Sequence, residues 1–142
     1  MSATTEANVP APSKALHYGL WVVQVLLAAL FVMAGMFKAT TPAADLVAQG
    51  MAWAGRVPPL LVPFIGVSEI LGGVGLIAPS ALRIAPKVTA LAATGLVLIM
   101  ILASIEHGLA GEFGAIVVNA VLGSLAAFVV WGRAVGAPIT PR

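Results

Sequence analysis

The chain has 142 residues, 61% of them hydrophobic and only 8% charged, with a mean hydropathy of +1.08. A soluble domain carries about a quarter charged residues, so this composition excludes a water-soluble globule and specifies a membrane protein. The net charge of +2 comes from seven scattered bases against five acids, which gives no basic patch and no support for nucleic-acid binding. With no cysteine, the chain has no thiol relay, disulfide framework or thiolate-ligated metal of its own. Any redox role needs an external cofactor.

Residues 1–14 are rich in Ala, Ser, Thr and Pro without an apolar run, so a disordered tail is expected there. Ala15 to Phe37 then gives 23 residues without Asp, Glu, Lys or Arg. That length suits a retained span rather than a cleaved signal. The first helix is placed at Leu16–Phe37, with Tyr18 and Trp21 near headgroup level. A second is expected over Pro59–Ile77, opened by prolines and closing before Pro79. A third is expected from Pro86 to Glu106 with Gly108 as its stop, and a fourth from Gly114 to Trp131, before Gly132 and Arg133.

The expected fold is therefore all-α: a bundle of four transmembrane helices in one domain over residues 15–133, followed by a short tail over 134–142. In the first long loop, Thr41-Pro42-Ala43-Ala44-Asp45 has the form of a helix start, with Thr41 as cap, Pro42 in the first turn and Asp45 near the positive end. A short interfacial helix to Trp53, ended by Gly55, is expected as a lid on the outer mouth. Lys14, Arg83, Lys87, Arg133 and Arg142 fall on one side of the four spans, and Lys38 and Arg56 on the other. The positive-inside rule then puts both termini in the cytoplasm.

Glu69 is expected midway along the second helix. An acid at a helix centre costs about 2.5–3.5 kcal/mol on insertion scales, and such groups face the bundle interior. Two readings follow: a functional carboxyl, or a protonated group that bonds a neighbouring helix. Gly66 and Gly73, one turn to either side, let a partner helix approach that face. In the first helix, Gln24, Ala28, Phe31, Gly35 and Lys38 share one stripe by steps of three and four. Lys38 either joins that polar interior or snorkels to the interface.

His107 shares a stripe with Ser104, Met100 and Ala93, while Asn119 lies just over one turn into the fourth helix. With antiparallel neighbours, these groups form an expected outward-facing polar funnel, floored by Glu69 and rimmed by Lys38, Glu106, His107 and Glu112. His17 starts the first helix at the far side, so it cannot share a haem iron with His107. Glu106, His107 and Glu112 match no metal-ligand spacing, and no metal site is expected. The Gly72, Gly73 and Gly75 cluster lies inside an apolar span with no phosphate-binding lysine after it, so it reads as helix packing.

Ala34-Gly35-Met36-Phe37-Lys38, the run from Ile65 to Pro79 containing Gly66, Ser68 and Glu69, Ala92 to Leu96, His107, Gly111-Glu112, Val118-Asn119 and Gly132-Arg133 follow in an order that resembles the DoxX-like family of small four-helix bacterial membrane proteins. The resemblance implies a multi-pass inner-membrane protein with Lys38, Glu69, His107, Glu112 and Asn119 at characteristic positions. It also implies a link to quinone-reducing sulfur oxidation complexes, oxidative-stress assemblies or chaperone-like roles.

The leading expectation is an accessory membrane subunit of a redox or stress-response assembly, not an enzyme on its own. It would bind a quinone or similar amphipath near Glu69, with Lys38, Glu69, His107, Glu112, Asn119 and Gln24 as ligand-binding candidates. It would have membrane or periplasm-facing protein partners and form a homo-oligomer. The alternatives are a non-catalytic assembly or chaperone-like protein, and a transporter of a small solute or protons.

Overall fold

A computed structural model describes residues 13–142. The tail expected over 1–14 lies outside the described residues except for Ser13 and Lys14, and Lys14 already opens the first helix. The elements are α1 (Lys14–Thr40), a short α2 (Ala43–Ala48), a 3-10 turn (Ala52–Gly55), α3 (Leu61–Leu82), α4 (Lys87–Ala110), α5 (Phe113–Trp131) and a π-helical turn (Gly132–Gly136). At about 1.5 Å per residue, the 22 residues of α3 reach about 33 Å, which spans a hydrocarbon core of about 30 Å. Among the described residues four helices are long and apolar enough to cross a membrane. The protein is a multi-pass membrane protein, and many large apolar side chains, Leu60, Leu71, Leu91 and Phe113 among them, are exposed on its outside.

Two helices run through the residues expected to stop them. α3 passes through Pro79 to Leu82 although proline removes one backbone donor. Neighbouring groups in a membrane bundle sustain such helices, and here the turn after Pro79 is fastened to α4 by a buried Ser80–Thr89 hydroxyl bond of 2.8 Å. Arg83 then adopts a left-handed conformation at φ 56° and turns the chain into α4. α4 passes Gly108 and stops at Gly111, whose φ of 76° is the left-handed C-terminal position that glycine favours.

α3 is the central helix, packed on α1 along one side and α4 along another. Its buried positions, Val62, Gly66, Glu69, Gly73, Leu76 and Ser80, alternate steps of four and three. Its glycines divide between the two neighbours. A Cβ at Gly66 would lie 2.6 Å from the Gly35 carbonyl oxygen and 2.7 Å from the Ala39 nitrogen of α1, whereas one at Gly72 or Gly75 would meet Leu96 or Ala92 of α4. The main apolar core joins Leu27, Ala28 and Phe31 of α1 to Leu76, Leu96, Met100, Ala126 and Val129.

The segment between α1 and α3 forms a roof with a core of its own. Leu46, Trp53 and Ala54 pack on Val62 of α3 and reach Ala110 of α4. The expected single helix is broken at Gly50, where φ is 94°. Pro42 occupies the N-terminal flanking position, without a side-chain cap from Thr41. The opposite end collects Lys14, Arg83, Lys87, Arg133 and Arg142 at helix ends and in the C-terminal segment. That segment folds back on α3 through Arg142 N to Arg83 O at 3.2 Å and Arg83 Nε to Thr140 O at 3.0 Å. The bundle thus has a roofed end and a basic end.

The backbone contact at Gly66 makes a stability prediction. Gly66→Ala forces α1 and α3 apart and should lower stability in detergent by about 1–3 kcal/mol, the usual range for overpacking. At Gly95 a Cβ would meet nothing within 4 Å, so Gly95→Ala should be neutral or slightly stabilising through helix propensity. Thermal melting of the two purified variants against wild type checks the contrast.

Candidate functional site

The stripe on α1 is buried at Gln24, Ala28, Phe31 and Gly35, and it brings Lys38 out at the roofed end facing α3. Lys38 Nζ donates to both oxygens of Glu69, at 3.0 Å and 2.7 Å. Glu69 is 3% exposed and Lys38 18%. The carboxylate is therefore enclosed by protein while part of the Lys38 side chain remains accessible. One turn away, Gly35 and Gly66 let the two backbones meet, so the short distance between helices and the ion pair belong to one construction. Without the glycines, Lys38 would be held further from the acid.

His107 and Glu112 form a second pair across the α4–α5 turn, joined through Nδ1 and a carboxylate oxygen. The other Glu112 oxygen accepts the Trp53 backbone N–H at 3.3 Å, and the Trp53 ring meets the His107 ring edge-on with centroids 6.0 Å apart. This pair therefore pins the roof to the hairpin. Glu106, also expected at the rim, makes no ion pair among the described residues. Asn119 is buried on α5, and its Nδ2 has no hydrogen-bond partner among the described residues.

Gln24 lies with none of these groups. Its side-chain amide donates to the Leu76 carbonyl of α3 and its oxygen accepts from Arg133 Nε, towards the basic end. The six candidates thus separate into the Lys38–Glu69 pair, the His107–Glu112 pair, an isolated Asn119, and a Gln24–Arg133 network. Sequence reasoning missed Arg133 and His17 as members of a cluster. Arg133 has the sequence signature of the positive end of a span, and only the π-helical turn after Trp131 aims it back into the bundle.

An open groove of about 490 Å³ runs along the α1–α3 seam, lined by Ala28, Val32, Met33, Gly73, Val74 and Ile77 among others. Gly73 and Glu69 are one turn apart on the buried face of α3. The lining side chains of the groove are all apolar, which suits a hydrocarbon chain. Among the described residues no group of three His, Cys, Asp or Glu side chains gathers to hold a metal.

Separating the ion pair should be more damaging than removing it. Lys38→Met leaves an enclosed carboxylate without its cation, and breaking a buried pair in this way costs about 3–5 kcal/mol, whereas replacing both partners by apolar groups is often neutral. Lys38→Met/Glu69→Met should therefore be clearly more stable than Lys38→Met alone. Unfolding of the set of variants in mixed detergent micelles measures the difference; a double variant no better than the single one would show that the two groups are not coupled.

No curated protein and no solved structure matches the chain. The sequence pattern that defines the DoxX-like family matches residues 22–129, a stretch that reaches all four long helices and includes the Lys38, Glu69, His107, Glu112 and Asn119 positions. The chain belongs to the DoxX-like family.

Proposed function

We propose that this protein is an accessory membrane subunit of a redox or stress-response assembly, and that the Lys38–Glu69 pair is where it engages the polar head of a quinone-like amphipath. The observation that carries this reading is the unequal exposure of the pair: Glu69 is sealed at 3% while Lys38 is reachable at 18%. Lys38 Nζ has three N–H donors, and a quinone carbonyl oxygen can accept one of them without displacing the carboxylate. Glu69 then holds the ammonium in place and balances its charge. The apolar groove between α1 and α3 supplies a surface for an isoprenoid tail. Proton exchange with the bound head would pass through the ammonium and carboxylate, which lie within hydrogen-bond distance.

In this reading the protein brings no redox group of its own and acts by holding the amphipath beside a partner that does the electron transfer. Its membrane is the bacterial plasma membrane, with the basic end cytoplasmic by the positive-inside rule. Membrane or periplasm-facing partners would then meet the roofed end.

A second reading is favoured by the glycine contact at Gly35 and Gly66: the pair is a clasp that fixes α1 on α3, and the protein is a non-catalytic assembly factor. The two readings differ in what the apolar double replacement does. Gentle purification followed by mass spectrometry of bound lipids should recover quinone with wild type. Loss of one charge-assisted contact in Lys38→Met/Glu69→Met should reduce recovery by at least about tenfold, as for a contact of roughly 1.5–3 kcal/mol. If wild type retains no quinone and the double variant still recovers the same protein partners, the ligand reading fails and the clasp reading stands.

A further inference from the structure

The basic end contains a cluster with too many donors. Arg133 is 4% exposed and no carboxylate pairs with it among the described residues. Its Nε donates to Gln24, its Nη1 donates to the Ala137 carbonyl at 3.1 Å, and its plane lies over the Trp21 ring at 5.2 Å. Nη2 is buried with no acceptor among the described residues.

His17 sharpens the imbalance. Trp21 Nε1 approaches its Nε2 at 3.2 Å, while Arg133 Nη1 lies 3.4 Å from its Nδ1. Indole and guanidinium nitrogens only donate, and a neutral imidazole can accept at one nitrogen alone. In either tautomer one ring N–H therefore faces another donor, and a protonated ring would face two. Among the described residues the cluster lacks an acceptor, and it also lacks a negative charge. Lys14 adds a further cation on the same helix, one turn before His17.

A groove of about 280 Å³ opens beside this cluster, lined by Lys14, His17, Tyr18, Ala137 and Pro138. Two of its walls, His17 and Ala137, are the groups that touch the Arg133 guanidinium from the other side. Lys14 and Tyr18 are exposed, at the start of a span where a tyrosine marks the headgroup level.

We propose that this groove binds a phosphate group, carried by an anionic lipid headgroup. Phosphate supplies acceptor oxygens and negative charge together, the two things the cluster lacks. Lys14 bonds the oxygens at the groove, where His17 forms part of the wall, and the buried Arg133 behind it contributes a charge that no carboxylate among the described residues compensates. Trp21 and Gln24 are positioning residues that hold the guanidinium against that wall. Basic pockets at one membrane surface recognise lipid headgroups by the same chemistry. The location at headgroup depth favours a lipid over a phosphate from solution.

The test uses the full chain in nanodiscs of phosphatidylcholine, with and without phosphatidylglycerol, and measures melting temperature and the lipid retained after extraction into mild detergent. Phosphatidylglycerol should raise the melting temperature of wild type and remain bound. Lys14→Gln should reduce its retention about fivefold, the effect of one basic residue near the surface. Lys87→Gln removes an equal charge from the same end but away from the groove, and should leave retention unchanged. Arg133→Met should abolish it; where that variant does not fold, His17→Phe takes its place.

A rise in melting temperature with inorganic phosphate in phosphatidylcholine discs, without retained phosphatidylglycerol, supports the phosphate site and assigns its source to solution. Equal losses in Lys14→Gln and Lys87→Gln would mean diffuse attraction to a charged surface and overturn the site. So would equal retention of phosphatidylglycerol by wild type, Lys14→Gln and His17→Phe.

Discussion

Where α1 crosses α3, backbone meets backbone at Gly35 and Gly66, and the rest of the bundle is arranged around that approach. In lipid, helices gain little from burying apolar surface against one another, so close van der Waals packing and internal polar contacts carry association. Small residues at the crossing let Lys38 reach Glu69 with both carboxylate oxygens within hydrogen-bond distance. The same helix, α3, turns Gly72 and Gly75 to α4. It therefore serves as the spine on which both α1 and α4 are laid, and α5 joins through α4.

The two ends manage enclosed charge in opposite ways. At the roofed end the partly enclosed groups are matched with carboxylates: Lys38 has Glu69 and His107 has Glu112. At the basic end the described groups around Arg133 are an amide oxygen, a peptide carbonyl, an indole face and the His17 ring, with no carboxylate among them. A guanidinium spreads its charge over a plane and is less strongly hydrated than an ammonium, which explains why an arginine rather than a lysine occupies that position. The arrangement remains incomplete in charge, and that asymmetry separates a closed pair from a cluster that calls for an anion.

Much of the architecture was legible in the sequence because a bilayer imposes simple rules. Long uncharged runs had to be spans, and the step of three and four residues from Lys38 back to Gln24 marked the buried face of α1. Glu69 stood out for the same reason. Which helix each face meets was not legible: Gly72 and Gly73 are adjacent in sequence yet pack against different neighbours, because successive helical residues point about 100° apart. The funnel expected from shared depth dissolved into separate clusters, since depth along a span says nothing of azimuth. The continuation past Pro79 is accompanied by Ser80 meeting Thr89, a contact across a hairpin with no local signature.

The polar clusters also constrain how the molecule can move. α1 is tied to α3 near the roofed end by Lys38–Glu69 and again, further along, by the Gln24–Leu76 bond, so sliding one helix along the other breaks two buried contacts at once. Its tie to the π-helical turn after α5 is at the basic end, where Arg133 meets Gln24 and Leu20 sits where a side chain on Gly132 would stand. The roof is held to the α4–α5 turn through Glu112, whose two oxygens are divided between His107 and the Trp53 amide. Rearrangement at the roofed end is therefore easiest by lifting the roof from the hairpin while α1 and α3 stay paired. Such a movement leaves the Lys38–Glu69 bonds in place, so the buried carboxylate stays compensated.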